Sequence, residues 1–233
     1  MQTIKRTKKA LGFILHEDAL RVVIATMKSK NGKTGNMVQV WILHREVNPV
    51  QAVKTGDDSA ICGNCPLRRN AVTGKRACYV NVGQAPRAVF DGYKRGIYPK
   101  WEGDTSPFEG RKIRWGAYGD PVFIPFPIFR AISQAAVGFS GYTHQWRNPL
   151  FRPFRAFLMA SADSLEDAED AWAAGWRTFR VSDTPAAGEI LCVSESKGKT
   201  CAECLLCCGS SKRAKSIFIP AHGSGRKAHP SVN

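Results

Sequence analysis

The sequence predicts an α/β protein: a partial or shortened parallel βα barrel with an N-terminal β-hairpin and cysteine-rich loops suited to cluster binding. Three observations predict it. From about residue 110 onward, apolar strand-like runs alternate with helical stretches, the pattern of parallel βα units. These runs end repeatedly in polar residues, as strands do where parallel sheets and barrels place their ligand sites. The eight cysteines are grouped at short, metal-like spacings.

The elements follow in chain order. The N-terminal end carries Lys5, Arg6, Lys8 and Lys9. Two strand-like runs, Leu20–Met27 and Met37–His44, flank a turn-rich stretch from Lys28 to Asn36, so residues 1–50 read as a basic segment with a β-hairpin, packed on the core. Residues 51–223 are the expected core. Its candidate strands are Lys112–Tyr118, Gly141–Gln145, Ala156–Ser161, Arg177–Ser182, Glu189–Ser194 and Ser216–Ala221. The clearest helix starts at Ser164, an N-cap with Asp167 at capping-box spacing, and ends at Gly175. A second helix is expected over Pro127–Val137, and residues 224–233 read as a flexible basic tail.

With 233 residues and 43% hydrophobic content, the chain can bury one sizeable core. The apolar stretch Leu11–Leu15 is cut short by His16, Glu17 and Asp18, far below the roughly 20 residues needed to cross a bilayer. A cytoplasmic protein without a membrane partner is the expectation. The formal net charge of +15 makes nucleic acid the obvious acidic partner. Lys28, Lys30, Lys33, Arg147, Arg152 and Arg155 are the cations expected to meet phosphates. The stretch Trp146–Arg155 either stacks on a nucleic-acid strand or packs as a long loop over the core.

Cys201-x2-Cys204-x2-Cys207 carries the most specific chemistry, because two consecutive two-residue gaps let three thiolates converge on one cluster. Cys192, at the end of a predicted strand, is the expected fourth ligand of a [4Fe–4S] cluster. Cys208 competes with Cys207 for its position. Cys62-x2-Cys65 followed by Cys78 forms a second group. With zinc, a fourth cysteine or a histidine would close it into a structural staple. With a [4Fe–4S] cluster, one iron would stay open to a substrate or cofactor. His144 and His222, at predicted strand ends, are acid–base or metal groups, or simply hydrogen-bonded structural residues. Spacing alone assembles no nucleophile–histidine–carboxylate set.

The order Cys62-Gly-Asn-Cys65, Cys78-Tyr79, Gly119-Asp120, Cys192, the Cys201/Cys204/Cys207 run and Ile217-Phe-Ile-Pro-Ala-His222-Gly resembles a group of uncharacterised phage and mobile-element proteins. These are in turn similar to radical S-adenosylmethionine enzymes. The resemblance implies a partial βα barrel with a [4Fe–4S] cluster on Cys62, Cys65 and Cys78, open at one iron to S-adenosylmethionine. It also implies cofactor contacts at Gly119, Asp120, His144, Asp183 and His222, an auxiliary cluster on Cys192 to Cys207, and an electron donor as partner. The gaps of the Cys62/Cys65/Cys78 set differ from those of that family's usual motif.

Two function classes therefore stand: a redox or radical enzyme, and a non-catalytic, cluster- or zinc-stabilised nucleic-acid-binding protein. An open iron distinguishes the first from the second.

Overall fold

The computed structural model describes residues 10–210, 212–223 and 226–229. Among the described residues, ten strands fall into two sheets. The first contains β1 (Gly12–Glu17), β2 (Arg21–Thr26), β3 (Val38–His44), β4 (Lys112–Tyr118) and β5 (Gly138–Ser140), in that order. Its first three strands form an antiparallel meander, and β3 then pairs in parallel with β4, as β4 does with β5. The second sheet is wholly parallel. It comprises β6 (Tyr142–Thr143), β7 (Met159–Ala162), β8 (Thr178–Val181), β9 (Glu189–Leu191) and β10 (Ser216–Ile219), in the order β6-β7-β8-β10-β9. Neither sheet closes on itself among the described residues.

Gly141 alone separates β5 from β6, so one run of chain passes from the first sheet into the second. A side chain there would be crushed: a Cβ would lie 2.6 Å from Leu158 and 2.9 Å from Trp115. Its amide instead donates to the Cys207 carbonyl at 3.0 Å, and its carbonyl accepts from the Met159 amide at 3.1 Å. The expected strand Gly141–Gln145 is thus two short pieces. The expected strand Ala156–Ser161 begins later, at Met159, because Asn148, Pro149 and Pro153 bend residues 149–156 into 3-10 turns. Phe151 and Phe154 pack edge-on against Phe123, Phe126 and Phe129, so the aromatic side of the Trp146–Arg155 stretch is spent on the core.

The hairpin forms as its alternating apolar runs dictate, but β1 precedes it, where only a short apolar stretch was expected. Helices α1 (Pro49–Thr55), α2 (Ser59–Cys62) and α3 (Ala85–Lys94) fill the connection from β3 to β4. Helix α4 (Phe126–Ala135) lies close to the predicted second helix. Helix α5 (Leu165–Ala173) starts at Ser164, whose hydroxyl accepts from the Asp167 amide at 3.0 Å. Two short helices, α6 (Val193–Lys197) and α7 (Cys201–Cys204), follow β9. Burial of large side chains such as Trp115, Phe108 and Phe129, each worth about 1.5 to 3 kcal/mol, holds the first sheet to its helices.

The expected basic arm before residue 10 lies outside the described residues. Of the expected tail, only 226–229 is described. There residues 226–228 make a 3-10 turn with Arg226 and Lys227 exposed, and His229 is buried.

Candidate metal centre

Four cysteines of the C-terminal third share one wall of a cavity. Cys192 ends β9 and caps α6; Cys201 and Cys204 bound α7; Cys207 follows after a reversal of the backbone. That reversal rests on Leu205, which adopts the left-handed conformation at φ 51°. For a leucine this costs about 1 to 2 kcal/mol, and it turns the chain so that Cys207 joins the same wall. The loop is built to stay in place. Thr200 and Glu203 form a reciprocal capping box, and Lys112 Nζ donates to the Ala202 carbonyl at 2.7 Å. The hairpin tip docks onto it: the Cys201 and Ala202 amides donate to the Lys33 and Thr34 carbonyls, both at 3.0 Å. Cys208 does not line the cavity, and its Sγ lies 3.9 Å from the Leu206 carbonyl. Cys192 is the cysteine that lines the cavity together with Cys201, Cys204 and Cys207.

Cys62, Cys65 and Cys78 form the second group. Cys62 closes α2, and Gly63 follows with φ 59°; a Cβ there would strike the Gln145 amide at 2.6 Å. Gln145 Nε2 donates to the Cys62 carbonyl at 3.0 Å, and the Asp120 amide donates to the Ile61 carbonyl at 2.7 Å. The ends of β4 and β6 thereby hold this loop. Arg68 ties its two limbs, donating to the buried Asp58 carboxylate at 2.6 Å and to the Gly63 carbonyl at 3.1 Å. The groups that act most strongly on Cys62 are Cys65, Cys78, Asp58 and Asp120, and those on Cys78 are Arg76, the Val80 amide, Cys65 and His144.

His144 faces this loop from the end of β6. It hydrogen-bonds the Cys65 thiol, and its Nε2 lies 3.2 Å from Asp163 Oδ2. Burial opposes the imidazolium, but Cys65 and Asp163 outweigh it and raise the His144 pKa well above its ordinary value. Burial likewise works against the Asp163 carboxylate. The hydrogen bonds and charges of His144 and His229 prevail, holding its pKa well below the usual range. His144, Asp163 and His222 all line the cavity.

Four of the thiols, Cys62, Cys78, Cys201 and Cys207, are poor nucleophiles as they stand. Burial, and then the neighbouring thiols, push Cys62 well up; burial also raises Cys78 and Cys201. Cys207 is pushed up to about 12, by burial against the hydrogen bond of Tyr142. A metal ion deprotonates such thiols outright, whereas a buried free thiol stays inert. Tyr118 Oη, close to Cys62 and Cys78, is buried with no hydrogen-bond partner among the described residues. A donor left over beside thiols fits a site whose sulfur atoms carry charge. Among the described residues no three His, Cys, Asp or Glu side chains converge as the ligands of a single ion do. In a cubane each thiolate binds its own iron, so its ligands stand farther apart.

Of the remaining sequence candidates, Gly119, Asp120 and Asp183 do not line the cavity. Asp120 is buried and its carboxylate is occupied, accepting from Thr143 Oγ1 at 3.0 Å and from the His144 and Val122 amides at 2.9 and 3.2 Å. It caps the turn after β4 and does not line the cavity. Gly119, at φ 78°, packs on Ile42 so tightly that a Cβ would lie 2.6 Å from its carbonyl oxygen. Asp183 is exposed and away from the cavity. His222 stacks on Tyr79 with ring centres 5.5 Å apart, which joins the end of β10 to the Cys78 loop. Arg114 and Tyr142, both on cavity-facing strands, had no motif to announce them. No family model, curated protein or solved structure matches the chain.

Proposed function

We propose that the chain is an iron–sulfur redox enzyme acting on a small molecule in the cavity lined by its C-terminal cysteine group, with the two sheets forming a partial barrel around it. The observation that supports this reading is that four cysteines line one cavity, whose lining also includes His144 and Tyr79, neighbours of the second group. Cys192, Cys201, Cys204 and Cys207 form one wall, and His144 and Tyr79 connect the far side to Cys62, Cys65 and Cys78. Four cysteines would hold a fully ligated [4Fe–4S] cluster; three would hold a second with a non-cysteine position. Such groups supply single electrons when bound. The protein's own residues do the rest. Tyr142 donates to Cys207, Arg114 brings positive charge to that wall, and the Asp163 carboxylate orients His144 toward Cys65. In keeping with the family resemblance, S-adenosylmethionine is the proposed ligand of the open position.

The test is electron paramagnetic resonance of the reduced, anaerobic protein with and without S-adenosylmethionine. A change in one of two cluster signals, with slow formation of 5′-deoxyadenosine, is expected. Two signals insensitive to the compound would leave an electron carrier and remove the radical chemistry.

Cys65, His144 and Asp163 also line up as a nucleophile, base and orienting carboxylate. Cys65 nevertheless sits between two further cysteines, which a nucleophile does not need. Stoichiometric alkylation of Cys65 alone in a metal-free, folded protein would favour thiol catalysis over the cluster.

A further inference from the structure

The cavity contains a cation to which no carboxylate of the described residues is paired. Arg114 stands in the middle of β4, 6% exposed. Its contacts are a hydroxyl and an aromatic face: Nη2 donates to Tyr79 Oη at 3.1 Å, and the guanidinium carbon lies 4.3 Å from the centre of the Tyr142 ring. Taking a guanidinium out of water without a counter-charge is costly, so a buried arginine lining a cavity calls for an anion there.

Strand register supplies a second donor. Ser140 on β5 is the parallel partner of Arg114 on β4, and both side chains line the cavity. Ser140 is 1% exposed, and its hydroxyl has no hydrogen-bond partner among the described residues. Gln39 on β3 continues the row on the other side, but its amide nitrogen is already given to Thr34 Oγ1 at 3.1 Å. Beyond this polar row the wall is apolar, with Tyr142 stacked on Phe179 at 4.3 Å and Ile217 beside them.

We propose that Arg114 and Ser140 form an anion site for the carboxylate or phosphate of a small organic ligand whose apolar body rests on Tyr142, Phe179 and Ile217. The guanidinium offers a planar fork of N–H donors suited to either oxyanion, and the serine hydroxyl adds a donor beside it. The cysteine wall is the other source of negative charge near Arg114. Ser140 favours the ligand, because an arginine serving only the thiolates has no need of an unpaired hydroxyl in register with it. The site is independent of whether either cysteine group holds iron.

The experiment titrates the protein, purified anaerobically as isolated, with benzoate, phenyl phosphate and the neutral isostere benzamide, followed by saturation-transfer NMR and calorimetry. At least one of the two anions should bind about tenfold or more tightly than benzamide, and the better of the two identifies the headgroup. Arg114→Gln should abolish that preference at unchanged iron content. Ser140→Ala should weaken the anion several-fold without lowering the melting temperature, because the hydroxyl it removes has no partner. Equal binding of all three probes, no binding of any, or a preference that survives Arg114→Gln would overturn the site. If Arg114→Gln does not fold, Ser140→Ala decides: undiminished anion affinity in that variant overturns the proposal.

Discussion

Tyr142 touches the cysteine wall directly, through a hydrogen bond to Cys207, and this contact has a measurable consequence. Donors to cluster sulfur stabilise the reduced state and so raise the reduction potential. Tyr142→Phe should keep the iron content while shifting the potential of one cluster to more negative values in a redox titration. Asp163 carries a second prediction. Its pKa is held low in the folded chain, so its stabilisation is fully present above the ordinary carboxylate pKa, near 4, and is lost as pH falls below it. Melting temperature measured against pH should therefore decline less steeply below about pH 4 in Asp163→Asn than in the native chain. The grouping of the cysteines was legible in the sequence because their spacings are local. Arg114 was not: it is one cation inside the strand Lys112–Tyr118, and only the pairing of that strand with its neighbours reveals that it is buried.

The loop from β9 to β10 is held from several sides. Glu189, on β9, accepts from Arg180 on β8 at 2.5 and 2.9 Å and from the Ala186 amide at 2.8 Å, with both charged side chains buried. Glu189→Ala leaves that arginine uncompensated, and a loss of about 3 to 5 kcal/mol is expected in denaturant unfolding. Replacing Cys204 with Ser should lower the melting temperature and the iron content together, because the four-residue helix that carries it has little apolar packing of its own. Iron lost at an unchanged melting temperature would mean that the hairpin tip and the capping box alone hold the loop. Here too the legible part is local. Alternating apolar runs and the Ser164 cap announced the hairpin and α5, whereas the docking of the hairpin tip on Cys201 is a contact across the whole chain. The tip's Lys33, one of the expected phosphate contacts, pairs with Glu195 at 2.9 Å.

The two sheets share a strand run broken at Gly141, and the cavity lies along strands of both, lined by Cys192, Cys201, Cys204 and Cys207. The alternation of strands and helices made the parallel arrangement readable. The seam was not, because it depends on Leu158 and Trp115 crowding one glycine. Several of the cations expected to meet phosphates have partners within the fold. Arg147 pairs with Asp167 and Asp170 at 2.9 and 2.7 Å, and Arg155 donates to the Ala174 carbonyl at 2.9 Å. Lys28, Lys30 and Arg152 are the expected phosphate contacts that remain exposed. No helix among the described residues is long and apolar enough to cross a membrane.

The central claim is that both cysteine groups hold iron–sulfur clusters and that the group of Cys62, Cys65 and Cys78 lacks a fourth cysteine. Iron and acid-labile sulfide analysis with Mössbauer spectroscopy, on protein purified without oxygen, tests it most directly. The account predicts a brown protein with two clusters per chain, one of which contains an iron that is not ligated by cysteine. A colourless, folded protein with stoichiometric zinc, or one in which every iron carries a cysteine, would contradict it.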